Sequence, residues 1–158
     1  MGEEKEIVFG WERIADAFDE AFPLMQRHNA EVNGQEPFEP DVDRYMNLES
    51  VGVLKCATLR RKGRLIGYAS ICIAPMIHHR SQALAVIDSL WIERSERRGL
   101  LGYNFILWLV AQLSIAGISK VDFSVAHGNV RLQALFSRLG FAPFETLMRL
   151  DLCPVAAT

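Results

Sequence analysis

Residues 84–102 read LAVIDSLWIERSERRGLLG: a hydrophobic strand with one acid in its middle, a basic turn, and the start of an apolar helix. That helix constrains the fold most. Over 102–116 only Asn104, Gln112 and Ser114 are clearly polar. Such a helix has no wide solvated face and must be covered nearly all round, by a sheet and neighbouring helices or by a second copy of the chain. A homodimer is the expectation. The turn before the helix has the makings of an anion site. Backbone N–H groups converge at a helix start, glycine permits close approach, and Arg97 and Arg98 add charge.

A chain of 158 residues, 50% hydrophobic and 23% charged, is expected to form one globular domain over 1–158. The formal net charge of −2 argues against a general nucleic-acid binder, although Arg94, Arg97 and Arg98 leave room for a local basic face. Cys56, Cys72 and Cys153 lack paired metal-ligand spacing, so no metal is expected. Cys56 and Cys72 lie in strand-like runs and read as small core residues. The acidic start MGEEKEI is no signal peptide, and FILWLVA at 105–111 is too short to span a bilayer. The expectation is a cytoplasmic protein without a membrane partner.

Along the chain a short strand at 5–9 precedes a helix whose stripe is Trp11, Ile14, Phe18 and Phe22. Pro23 is expected to kink or restart it, after which Leu24, Met25, His28 and Val32 continue to Asn33-Gly34. QEPFEP at 35–40 is a loop, and Asp41 caps a short helix through Tyr45 and Leu48. Strand patterns at 53–59 and 64–74 flank the turn Lys62-Gly63 as a hairpin. A loop at 75–82, a long strand at 83–93 and the helix 102–116, closed by Gly117, follow. Then come a strand at 120–126, a helix at 130–139 ended by Gly140, and a last strand near 145–151. There are no repeats or linkers.

Two stretches together resemble the GCN5-related N-acetyltransferases. The turn Arg97-Arg98-Gly99-Leu100-Leu101-Gly102 is similar to that family's acyl-CoA loop, (Gln/Arg)-x-x-Gly-x-(Gly/Ala), with Leu100 at the middle glycine and Gly99 displaced by one. Asn129, Gly140 and Phe141 match the second signature, Asn-x(6)-Tyr-x(3)-Gly-Phe, with Phe136 at the Tyr position. A finer resemblance, to phage- and prophage-type members, rests on His28 and Glu31, Arg44-Tyr45, Gly67-Tyr68, His78-His79 and Asp88. The resemblance implies an α+β fold: a central twisted, mostly antiparallel sheet of six to seven strands flanked by about four helices. It implies acetyl-CoA as co-substrate, bound by Arg97, Arg98, Gly99, Leu100, Leu101, Gly102 and Tyr103, with Asn129 and Phe136 nearby.

The chemistry of the residues runs parallel. Main-chain groups of Leu90, Trp91 and Ile92 suit the amide-containing arm of CoA, as in strand addition. The plain alternative is an ordinary strand–helix turn with solvated arginines. Period-2 alternation puts Asp88 on the face of Val86 and Leu90, where lost solvation would strengthen it as a base for an ammonium. A structural Asp, holding a loop through His78 or His79, is equally open. His78 can take the base role instead, and His127, just before Asn129, can approach the reacting thioester or be a plain loop histidine. His28, Glu31, Tyr45 and His79 form a candidate acceptor-pocket wall, with His28 more simply a core histidine. Phe136 cannot donate a proton to a departing thiolate, so Tyr103, His127 or water must do so, or no acid is needed. On its bland reading Phe136 packs with Leu132, Leu135 and Leu139.

The reading is transfer of an acetyl group from acetyl-CoA to a primary amine by direct attack in a ternary complex. The acceptor is a small molecule or a peptide amine. The alternatives are a non-catalytic acyl-CoA-binding or assembly module, and a toxin-like acetyltransferase of aminoacyl-tRNA.

Overall fold

The computed structural model describes residues 6–34, 36–126, 128–150 and 152. Five strands form one sheet in the order β1-β2-β3-β4-β5, where β1 is Ile7–Glu12, β2 Leu54–Arg61, β3 Arg64–Pro75, β4 Ala83–Ile92 and β5 Lys120–Phe123. The first three pairings are antiparallel and β4–β5 is parallel. Four α-helices accompany them: α1 (Ile14–Asn33), α2 (Val42–Ser50), α3 (Leu101–Ile115) and α4 (Val130–Arg138). The β2–β3 hairpin turns on Lys62 and Gly63, both at positive φ, the two-residue geometry that matches strand twist.

Three expectations change. The first strand extends to Glu12 and takes Trp11 with it, so Trp11 meets Trp108 of α3 instead of heading the helix stripe. Helix α1 runs unbroken through Pro23, which is exposed, so the missing N–H is lost at the solvated side. The sheet has five strands among the described residues rather than six to seven. The last strand expected near 145–151 is absent over 145–150, where Leu147, Met148 and Leu150 are exposed, and Asp151 lies outside the described residues.

The two faces of the sheet pack differently. On one, Phe105, Leu109 and Leu113 of α3 meet Leu59, Ile66, Ala69, Ile71, Ala85, Ile87 and Ile92, all buried. On the other, Ala21 and Leu24 of α1 meet Leu65, Tyr68 and Trp91. Among the described residues helix α3 is not covered all round: Leu107 and Ile115 remain exposed. Among the described residues, no helix is long and apolar enough to cross a membrane.

Candidate active site

Two interruptions in β4 create the site. Opposite β3, Ser89 pairs with Ser70 and Ile87 with Ile71, so Asp88 is an extra, unpaired residue: a β-bulge. Opposite β5, pairing ends at Ile87 with Phe123, so β4 from Asp88 to Ile92 has no partner on that edge among the described residues. The bulge breaks the alternation read from sequence. Leu90 packs into the α3-side core, whereas Ser89 opens into a pocket on the α1 side.

Asp88 is exposed, not buried among apolar neighbours, so the loss of solvation expected there is not found. Its Oδ2 lies 3.4 Å from Ser70 Oγ, and Ser70 and Ser89 hydroxyls are 2.5 Å apart. Its charge reaches the α1-side groups: together with burial, which dominates, it raises the Tyr45 and Cys72 pKa values. Tyr68 is also pushed up, mainly by burial, and so stays protonated.

The histidines divide. His28 shares a 2.7 Å hydrogen bond through Nδ1 with Tyr68 Oη and lies near-parallel to the Trp91 ring at 6.1 Å. Burial lowers its pKa against the opposing pull of Glu31, so it is neutral at neutral pH. His28 is thus half-buried, with Nδ1 tied to Tyr68. His78 and His79 are exposed in the loop between β3 and β4. That loop rejoins β4 at Ala83, five residues and about 16 Å of strand from Asp88. The structure therefore does not bring His78 or His79 to the bulge, because the hairpin arms are long. His127 lies outside the described residues.

Glu31 and Arg97 form a clamp. Both terminal nitrogens of the Arg97 guanidinium donate to Glu31, at 2.7 and 2.8 Å, and Trp91 Nε1 donates to the same carboxylate at 3.0 Å. Arg97 Nε donates to the Ile92 carbonyl at 2.7 Å, and its guanidinium lies over the Trp91 ring. Arg97 foremost, with Trp91, holds the Glu31 carboxyl down at about 2. Glu31 thus ties α1 to β4 and the basic turn instead of walling a pocket, and Arg97 is committed to protein partners instead of standing free for an anion. A three-residue spacing shows that two side chains share a helix face, but not which strand they meet.

Beyond the clamp the turn is open. Gly99 has φ +59 and takes the left-handed position, while Leu100 has φ −98 and is 66% exposed, so the displaced glycine does the conformational work. Helix α3 then starts at Leu101 with no side-chain cap and no acid in its first turn. Its leading amides, near Gly102 and Tyr103, face an exposed turn, and Arg98 has no side-chain partner among the described residues. A helix start of this kind leaves its first N–H groups without side-chain acceptors. Along the strand, the Trp91 carbonyl turns toward Gly67 of β3, so strand alternation directs the main chain of Leu90 and Ile92 to the open edge. Ile92 O is already taken by Arg97.

Asn129 caps α4, its side chain accepting from Leu132 N at 3.1 Å. Phe136 is buried between Phe123, 4.3 Å away between ring centroids, and Phe141 at 4.9 Å. Both residues are thus explained by the fold. On the α1 side Tyr45, Cys56, Tyr68, Ser70 and Ser89 line a pocket. Of these only Tyr45 stands among the sequence candidates for the pocket wall. The signal available was the run Tyr68, Ser70, Cys72, alternate residues opposite the apolar set of β3. Burial pushes the Cys56 thiol up to about 12, so it is no nucleophile. Among the described residues no group of His, Cys, Asp or Glu could hold a metal ion.

The acetyltransferase (GNAT) family profile matches residues 11–141. Solved structures share the fold. A Trypanosoma brucei acetyltransferase superposes with a TM-score of 0.71 at 20% identity, covering 93% of this chain and 100% of that one. A ribosomal-protein-alanine N-acetyltransferase from Brucella melitensis biovar Abortus 2308 gives 0.73 at 15% identity, over 94% and 100%. AAC(6')-Iy in complex with a bisubstrate analog, CoA-S-monomethyl-acetylneamine, gives 0.72 at 14%, over 94% and 99%. No curated relative is matched by sequence.

Proposed function

The chain belongs to the acetyltransferase (GNAT) family and is an acyltransferase, and from that premise we propose that it moves an acetyl group from acetyl-CoA to a primary amine by direct attack in a ternary complex. The carrying observation is the succession, along one strand and the turn after it, of a bulged carboxylate, an open edge and an uncapped helix start. The α3 amides and Arg98 hold the pyrophosphate, and the Leu90 main chain bonds the pantetheine arm. Bound there, acetyl-CoA supplies an activated thioester carbonyl. Asp88, at the point where the edge opens, takes the proton that an acceptor ammonium must lose, directly or through water. The amine nitrogen then bonds the acyl carbon as the carbon–sulfur bond breaks, the electron pair leaves on sulfur, and the nitrogen gives up its second proton to that thiolate or to water. Phe136 supplies no proton, and a thiolate leaves readily enough without one.

The test is whether the purified protein binds CoA and releases free thiol from acetyl-CoA only when an amine is present. Absence of CoA binding at roughly millimolar concentration rejects the reading.

A further inference from the structure

The outer face of α3 is built unlike that of any solvated helix. From Leu101 to Ile115 no residue carries a charge. Helix α1 shows the ordinary arrangement, with Asp16, Asp19, Glu20 and Arg27 among its exposed positions. On α3 the exposed positions Asn104, Leu107, Ala111 and Ile115 recur at helical spacing and form one stripe, with Leu107 43% and Ile115 80% exposed. A helix that buries Phe105, Leu109 and Leu113 on one side and shows leucine and isoleucine on the other is patterned to be covered twice.

The stripe continues onto the sheet. Trp108, beside Leu107, is half-buried and lies 5.6 Å between ring centroids from Trp11 of the edge strand β1. Trp11 itself is 36% exposed, and Lys55 stands over its ring. Two partly exposed tryptophans beside a charge-free helix, with a lysine at the margin, have the composition of an interface centre: aromatic-rich and depleted of charge.

Charge also decides which partner fits. A partner presenting a charged face would bury that charge against α3 with nothing there to pair it. A two-fold contact requires the patch to meet itself, and any charge near the axis then meets its like. A stripe with no charge satisfies that condition, and Ala111 lets two helices approach closely. The size is sufficient. Fifteen residues of helix make a face about 22 Å long, and with β1 alongside it is about 20 Å across. Two such faces bury roughly 1,000 Å² in all, the lower bound of a specific interface.

We propose that a second copy of this chain covers this face, α3 packing on its two-fold mate with Leu107, Trp108 and Trp11 as the buried anchors. The contact is independent of the transferase reading.

The experiment is sedimentation of the full chain, which should run at twice the mass of one chain at roughly 50 μM. Leu107→Glu should raise the dimer Kd at least about a hundredfold while the far-UV circular dichroism is retained, because the position is exposed in the single chain. Ala111→Arg, at a second exposed position, should do the same and serves where the first variant fails to fold. Mixing Leu107→Glu with Leu107→Arg should recover a dimer that neither forms alone, which only folded chains meeting through this face can do. Leu147→Glu tests the competing occupant, since Leu147, Met148 and Leu150 are also apolar and exposed, and it should leave the dimer intact. A monomeric parent chain overturns the proposal. So does a dimer that survives both α3 variants, one that Leu147→Glu abolishes, or the absence of recovery on mixing.

Discussion

Phe105 and Tyr68 stand on opposite faces of the sheet and are packed by different rules. Phe105 is fully buried against the Phe9 and Trp108 rings and aliphatic side chains, with no polar atom to satisfy. Tyr68 is almost as buried, yet its hydroxyl is bonded to His28, and His28 lies along Trp91, whose own N–H goes to Glu31. The α3 face is thus a hydrophobic core, replaceable in detail by other apolar side chains of similar volume. The α1 face is a chain of partnered polar groups in which removing one strands the next. Stability is expected to come from the first and positioning from the second.

That contrast can be broken at several points. The largest effect is expected from Phe105→Ala, which should cost about 3–5 kcal/mol in denaturant titration, because the ring leaves a cavity among residues with no access to solvent. Asp88→Asn should instead leave the unfolding midpoint within about 0.5 kcal/mol, since the side chain is exposed, and lower kcat by about 10²–10³. Unchanged turnover across the pH range rejects the base assignment. Gly67→Ala acts where β3 and β4 lie closest. Its Cβ would sit 2.9 Å from the Trp91 carbonyl and 3.2 Å from Ile92, so about 1–3 kcal/mol should be lost as β4 shifts, with the KM for acetyl-CoA rising alongside.

Glu31→Gln probes the clamp. The carboxyl pKa is depressed from 4.5 unfolded to about 2 folded, so its contribution is complete above the unfolded value and lost as pH falls from there toward 2. The variant should be about 1–2 kcal/mol less stable at neutral pH, a figure reduced for the pair's partial exposure, and the gap should close in acid. A gap that persists unchanged at pH about 2 contradicts the ion-pair account. The smallest effect is expected at Gly102. There a Cβ meets only Ile92 at 3.7 Å, so Gly102→Ala should raise stability by about 0.5–1 kcal/mol through helix propensity.

Much of the architecture was legible because its signals are local. The Lys62-Gly63 hairpin, the Asp41 and Asn129 caps, and the stop at Gly117 follow from residues within a turn of one another. Phe136 in the place of a proton donor was legible too, as was the weakness of the case for a nucleophilic cysteine. The candidate site was half legible. Leu90 and the turn from Arg98 to Tyr103 lie where the pattern put them. The partners of His28 and Glu31 did not follow from their spacing, because each lies 40 or more residues away.

The sequence alone determined the order of strand, basic turn, apolar helix and capped helix, because chain-local periodicity and capping encode those directly. It also determined where an uncapped helix start follows a basic turn, since that is a property of a few consecutive residues. Only the tertiary structure decided what Asp88 and Arg97 do. A single-residue bulge at Asp88 redirects two consecutive side chains to one face, and bulges arise from how β3 and β4 pair. Arg97 was as free in the sequence as Arg98. Which arginine meets Glu31 depends on where α1 crosses β4, a relation between residues 66 apart that no local pattern carries.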